Sequence, residues 1–231
     1  MAAAAIPGLA IPLRKHGCID TAVSQELLRQ AIALPWSQAP SRLPDPRLKA
    51  TVAAWFDPAP LAAIMGEAHS TVERLGQEWL SGDGKRWRPY LTAALFAAAS
   101  GARSGFPDDI RRLAVAAECF HKASLVHDDI EDNDAERYGK QTLHARLGVA
   151  QALNVGDFLI GEGYRMIAET TLPASARAAL LDEAVAAHRQ LTLGQGLELA
   201  WRDRPERLTP AQTLEGFRLK TAPAFRAALM F

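Results

Sequence analysis

From His121 to Asp132 the chain reads His-Lys-Ala-Ser-Leu-Val-His-Asp-Asp-Ile-Glu-Asp. On an α-helix, residues three and four apart share a face. Ala117, His121, Ser124, Asp128 and Asp132 therefore form one stripe that passes from small groups to two carboxylates, with Asp129 beside them. Carboxylates stacked one turn apart repel each other unless a cation lies between them. Hard divalent ions with oxygen ligands suit such a place, magnesium above all, because it keeps several waters and shares its remaining positions with phosphates. The chemistry this predicts is charge stabilisation of a departing diphosphate. A solvated acidic helix end is the plainer alternative, and periodicity alone leaves it open. Two features weigh against it: the stripe continues an apolar face, and His121 lies two turns before Asp128. A calcium loop starting at Asp132 is rejected, because Arg137 stands at the required glycine and Leu143 at the closing glutamate.

A second segment, Ser81-Gly-Asp-Gly-Lys-Arg-Trp-Arg-Pro89, gathers Lys85, Arg86 and Arg88 at the expected start of a helix. Cations oppose the helix dipole at that end, and a bound anion relieves both. The segment is not a nucleotide P-loop. Trp79 stands where the first glycine belongs, and Arg86 replaces the Ser or Thr that would hold magnesium. Taken alone, a polar solvated turn explains this loop better.

These groups need rigid elements to hold them, and the composition supplies helices. Ala, Leu, Glu, Arg and Gln dominate, and strand signals are nearly absent. Prolines 35, 40, 44, 46, 58 and 60 mark a broken stretch after a first short helix. Leu61, Ile64, Met65, Ala68, Val72, Leu75 and Trp79 predict one continuous helix face that ends at Gly82 and Gly84, with the next helix opening at Lys85. A long helix is expected from Pro107 through Asp132, with Asp108 and Asp109 in its first turn. Two more are expected at 145–169 and 174–200. A last one is capped by Thr209, Pro210 and Gln212 and runs to Phe231. The domain expectation is a lead-in over 1–60 and one helical domain over 61–231. His69, His144 and His188 read as packed residues, and Phe96, Phe106 and the tryptophans as core.

Charge and cysteine content set further bounds. The 231 residues carry 26 basic and 26 acidic side chains, which removes the simplest argument for nucleic-acid binding. Of two cysteines, Cys18 and Cys119, the second sits in an apolar helical pattern, so a disulfide framework is not expected and a reducing cytoplasm fits. The apolar start precedes its basic residues, the wrong order for a secretory signal, and no uncharged apolar run is long enough to span a bilayer.

Together these segments resemble the trans-type polyprenyl diphosphate synthases. Gly84-Lys-Arg-Trp-Arg-Pro89 is similar to the family's glycine-lysine-x-x-arginine-proline motif. His127 followed by Asp128, Asp129, Ile130, Glu131 and Asp132 matches its first aspartate-rich motif. Arg137 to His144, the pair Gly194-Gln195, and Lys220-Thr221-Ala222 follow in the family's order. The resemblance implies an all-α, isoprenoid synthase-type antiparallel helix bundle around a central cavity. It implies magnesium held by Asp128, Asp129 and Asp132 at the diphosphate of an allylic prenyl substrate. Arg137, Lys220 and Thr221 would meet that same diphosphate, supported by Gln195, while Lys85, Arg88 and His121 would bind isopentenyl diphosphate. Asp128, Asp132 and Lys220 would carry the catalytic burden, and a homodimer is usual. The implied activity is head-to-tail prenyl transfer.

Product length in this family depends on bulk near the first aspartate. Ala123 is small, which suggests geranylgeranyl length or more, with Phe120 as the rival stop. Two departures qualify the match. Tyr138 stands where a second arginine is usual, which opens a terpene cyclase reading. A second aspartate-rich motif is expected beyond Lys220 and is not found before Phe231, so a C-terminally incomplete bundle, or a non-catalytic or partner-dependent subunit, is the other reading.

Overall fold

A computed structural model of the chain describes residues 45–101, 105–205 and 207–231. The predicted N-terminal helix and Cys18 lie outside the described residues. Pro46–Phe231 forms one compact unit, which takes in residues 46–60 of the expected lead-in. The reason lies in two prolines read above as breakers. Pro46 opens α1 (Pro46–Ala54) and Pro58 opens α2 (Pro58–Met65), because a first-turn residue needs no N–H partner. Val52, Trp55 and Phe56 then pack into the core.

The single helix expected from Leu61 onward is two. Gly66, at φ +95°, ends α2, a conformation that favours glycine. Ser70 then caps α3 (Thr71–Ser81) in a full capping box with Glu73. The Ser-x-x-Glu spacing is the sequence signal for this helix start. α4 (Trp87–Ser100) follows, with Arg86 in the left-handed region at its N-cap. α5 (Asp108–Asp132) starts after Pro107 as expected and ends on Asn133. A two-stranded hairpin, β1 (Glu136–Arg137) and β2 (Lys140–Gln141), interrupts the helical pattern. It is followed by α6 (Leu143–Leu147), α7 (Val149–Ala168) and α8 (Ala174–Asp203). The last expected helix breaks at Thr221 into α9 (Pro210–Lys220), with the predicted Thr209–Gln212 capping box, and α10 (Ala222–Met230). Pro223 is the reason, since it favours the first turn of a new helix over the interior of an old one.

The bundle is built on the antiparallel packing of α5 against α7, its most extensive helix contact. Two large side chains on α5 lie on two glycines of α7. A Cβ on Gly163 would come within 2.7 Å of the Phe120 ring, and one on Gly156 within 2.4 Å of His127 Nε2. Phe120 and His127 are seven residues apart, as are Gly156 and Gly163, so the two contacts repeat along one seam of each helix. Buried Ala114, Ala116, Cys119, Ala123 and Val126 complete that helix. Burial holds the Cys119 thiol well above its usual range, which leaves it unreactive.

Substituting Gly163→Ala forces the Phe120 ring to move in a packed core. The expected cost is about 1–3 kcal/mol in urea unfolding, whereas Gly161→Ala, whose Cβ would meet nothing within 4 Å, is expected to be neutral or stabilising.

Candidate functional site

Between α5, α8 and α10 lies a cavity of about 320 Å³. Ala117, His121, Ser124 and Asp128 line it from α5, which is the stripe expected from the periodicity. Ala187, His188, Leu191 and Gln195 line it from α8, and Ala227, Ala228 and Phe231 from the α10 side. Thr92 Oγ donates to the carbonyl of Ala228 at 2.7 Å and ties α4 to α10. The floor is a chain of rings. Phe120 meets Tyr164 edge-on at 4.9 Å, and the Tyr164 hydroxyl lies 2.9 Å from His188 Nδ1. His188 is therefore part of the cavity rather than a packed bystander.

Ala123 is buried in the core and does not face the cavity. This corrects its expected part in setting product length. Five residues from Asp128, it is rotated roughly 140° around the helix from that carboxylate, while Ser124 and Phe120 stay on the cavity side.

At the mouth the expected acidic trio separates. Asp128 opens on the cavity, and no described residue hydrogen-bonds to it. Burial pushes its carboxyl up to about 6, with Lys220 opposing the shift and Glu131 and Asp132 adding to it. Asp129 points the other way, is 1 % exposed, and is paired with Arg137 at 2.5 Å. Burial raises its carboxyl in spite of that guanidinium. Asp132 is paired with Arg202. Lys220 Nζ donates to Glu198 at 2.7 Å, Gln195 donates to Glu131 at 2.6 Å, and Thr221 lies exposed at the α9–α10 junction. Glu131, Glu198 and Arg202 were missed in the sequence. Glu198 and Arg202 follow Gln195 by three and seven residues, so their shared face was legible once Gln195 had been marked.

The basic loop also divides. Arg86, expected to meet an anion, is buried instead. Its guanidinium donates to Glu118 at 2.6 Å and to the carbonyls of Leu80 and Gly82, and a buried pair of this kind cannot be broken cheaply. Lys85 stays exposed and Arg88 lines the cavity, stacked 5.5 Å from the Phe225 ring. Asp83 joins the loop to its surroundings. Its carbonyl accepts from buried Lys122 at 2.6 Å and its carboxylate from Lys140 at 2.7 Å. Lys122 also lies 5.6 Å from the ring of Tyr138, the residue at the departure from the family's arginine pair. Trp87 and Trp201 are exposed, against the expectation of core.

Among the described residues no three His, Cys, Asp or Glu side chains converge as a ready metal cage. The donors nevertheless fit magnesium. Asp128 and Asp132 carry hard carboxylate oxygens, and Gln195 Oε1, on the cavity wall, is buried without a partner. One or two carboxylates, completed by water and phosphate, are how this ion is usually bound.

Residues 69–231 match the sequence profile of the polyprenyl synthetases. This chain belongs to that family. It is 34% identical over 170 residues to the octaprenyl diphosphate synthase of Escherichia coli, an alignment covering 72% of this chain and 50% of that one. Among solved structures, it resembles a geranylgeranyl pyrophosphate synthetase from Pyrococcus horikoshii, with TM-score 0.67 and 30% identity over 79% of this chain and 55% of that one. A geranyltransferase from Helicobacter pylori, complexed with magnesium and isoprenyl diphosphate, gives TM-score 0.67 and 27% identity over 81% and 65%. The all-α isoprenoid synthase bundle expected above is the fold observed. The chain spans about half the length of the curated relatives it matches. Among the described residues no helix is long and apolar enough to cross a membrane.

His121 supplies a check on the cavity wall. Burial, then Arg88, lower its imidazole to about 3, against about 6.5 in an unfolded chain. The unfolded state binds the proton first, so stability is full above 6.5 and is lost as pH falls towards 3. Between pH 6.5 and 5 the loss attributable to His121 is about 2 kcal/mol. Urea unfolding of His121→Gln is expected to show a decline shallower by that amount.

Proposed function

We propose that the intact protein condenses isopentenyl diphosphate with an allylic prenyl diphosphate to give a longer polyprenyl diphosphate. The observation that carries this reading is the cavity itself: an apolar, ring-floored pocket whose mouth holds the half-buried carboxylate of Asp128 among Glu131, Asp132, Arg137 and Lys220. Asp128 and Asp132 would hold magnesium. Bound there, it supplies the positive charge that a departing diphosphate needs. Arg137 and Lys220, each resting on a carboxylate, are cations within reach of that diphosphate. Arg88 and His121, which line the cavity, and the exposed Lys85 beside them would bind isopentenyl diphosphate. An imidazole held neutral by its surroundings donates or accepts one hydrogen bond without adding charge.

The allylic carbon–oxygen bond breaks, the double bond of isopentenyl diphosphate attacks the allylic carbon, and a proton is lost. The chain's part is placement and the exclusion of water by Ala117, Leu191, Ala227 and Phe231. Phe120, on the ring floor, is the stop for the growing hydrocarbon. Buried free Cys119 accords with a reducing, cytoplasmic setting. Homodimerisation belongs to the same reading. Val185, Leu193, Leu197 and Trp201 are exposed apolar side chains on α8, and Val149 and Leu153 are exposed on α7. Sedimentation equilibrium is expected to find a dimer that Leu193→Lys weakens.

The direct test incubates the chain with magnesium, farnesyl diphosphate and labelled isopentenyl diphosphate. A longer labelled diphosphate is expected, dependent on magnesium and reduced about a hundredfold or more by Asp128→Ala. Phe120→Ala is expected to lengthen the product. Ala123→Tyr should instead overpack the core at a cost of about 1–3 kcal/mol. Absence of labelled product would move the reading to a partner-dependent chain. A hydrocarbon formed from farnesyl diphosphate alone would move it to a cyclase, as the uncharged Tyr138 permits.

A further inference from the structure

Four polar pairs surround the cavity mouth, and they are not equivalent. Asp129 is held by Arg137 with the carboxylate side chain 2 % exposed. Glu131 and Glu198 rest on Gln195 and Lys220. The pair of Asp132 with Arg202 differs from the first in exposure, at 38 % and 40 %. Both helices that carry it end at the mouth, α5 at Asp132 and α8 at Asp203. Their C-terminal carbonyls therefore add negative potential to that of Asp128, Glu131 and Asp132. Cations are required there: Lys220 and Arg137 act on Asp128, and Arg202 is the cation paired with Asp132.

We infer that Arg202 is an exchangeable counter-cation: it neutralises Asp132 until a divalent ion binds, then transfers its guanidinium to the diphosphate that the ion accompanies. This rests on the metal–diphosphate reading proposed above and adds to it a residue that no motif marks. Three observations support it. A half-exposed ion pair is held weakly and exchanges at little cost. A small divalent ion and a guanidinium cannot both sit on the same carboxylate oxygen without repulsion. The fork of N–H donors released from Asp132 matches phosphate oxygens as well as it matches a carboxylate. Arg202 also lies two turns beyond Gln195 on the same helix, so its stem rises along the side of α8 that lines the cavity.

The inference predicts two affinity changes of opposite sign, read without turnover. Mn²⁺, which shares the preference for oxygen ligands, is titrated by electron paramagnetic resonance, and inorganic pyrophosphate with saturating magnesium by calorimetry. Arg202→Gln is expected to bind Mn²⁺ about two- to fivefold more tightly and magnesium-pyrophosphate about tenfold more weakly. Arg202→Lys should fall between the two. Arg204→Gln is the control, because it removes the same charge from an exposed side chain paired with its neighbour Asp203, and it should shift neither affinity. In an Asp132→Asn background, Arg202→Gln should no longer tighten Mn²⁺. Unchanged Mn²⁺ affinity in Arg202→Gln, both affinities moving in one direction, or the same two shifts in Arg204→Gln would each overturn the inference. If the unaltered chain binds neither Mn²⁺ nor pyrophosphate, the metal–diphosphate reading itself fails and takes the inference with it.

Discussion

The close approach of α5 and α7 is the constraint on which the rest of the structure depends. Two glycines leave no side chain where Phe120 and His127 must lie. Without those two spaces the helix carrying Asp128 would stand farther from α7 and turn about its axis. That turn matters because one helix serves two purposes. Its α7 side is core, with Cys119, Ala123 and Val126 fully buried, and its other side is the cavity wall. Rotation by one residue would exchange them. A similar contact fixes the far wall. Gly194 of α8 lies against the backbone of Leu219 and Lys220, where an added Cβ would come within 2.8 Å. Backbone cannot rotate away as a side chain can, so this glycine sets the distance between Lys220 and the cavity.

On that frame the charges follow a division of labour between buried and half-exposed pairs. Arg86–Glu118 and Arg137–Asp129 are largely removed from water and are held by several hydrogen bonds. They fix the basic loop and the hairpin to α5, and pairs of this kind are costly to break. Asp132–Arg202 and Glu198–Lys220 are more open to solvent and can change partners. Asp128 stands between the two groups. It is buried enough for its carboxyl to rise, yet no described residue hydrogen-bonds to it. Loop, hairpin and mouth thus have different stiffness, which suits a site that must hold its phosphate-binding elements in place while its counter-ions exchange.

The continuous helix drawn through Leu61 and Trp79 followed apolar spacing across Gly66, though Gly66 and the Ser70–Glu73 box both announced a break. Pro46 and Pro58 start helices rather than break them, because a proline's effect depends on whether it falls in a first turn or an interior. The family resemblance points to Ala123 as a gauge of product length, but helical rotation turns a residue five positions from Asp128 into the core. Arg86 was grouped with Lys85 and Arg88 by charge alone, and only the fold shows Glu118 placed to receive it.

The sequence by itself determined the helical class, the family, the long helix ending at Asp132, the capping of α9, and the stripe from Ala117 to Asp128. All but the family follow from helical periodicity and capping chemistry, which act within a few residues, and the family follows from short motifs in a fixed order along the chain. The tertiary structure alone decided which carboxylate faces the cavity and which is locked to an arginine, and which cation of the basic loop is structural. It also decided that Tyr164 and His188 meet beneath Phe120. These outcomes depend on residues far apart in the chain, such as Asp132 with Arg202 and Asp83 with Lys140, and no spacing rule fixes a contact whose geometry is set by how two helices pack.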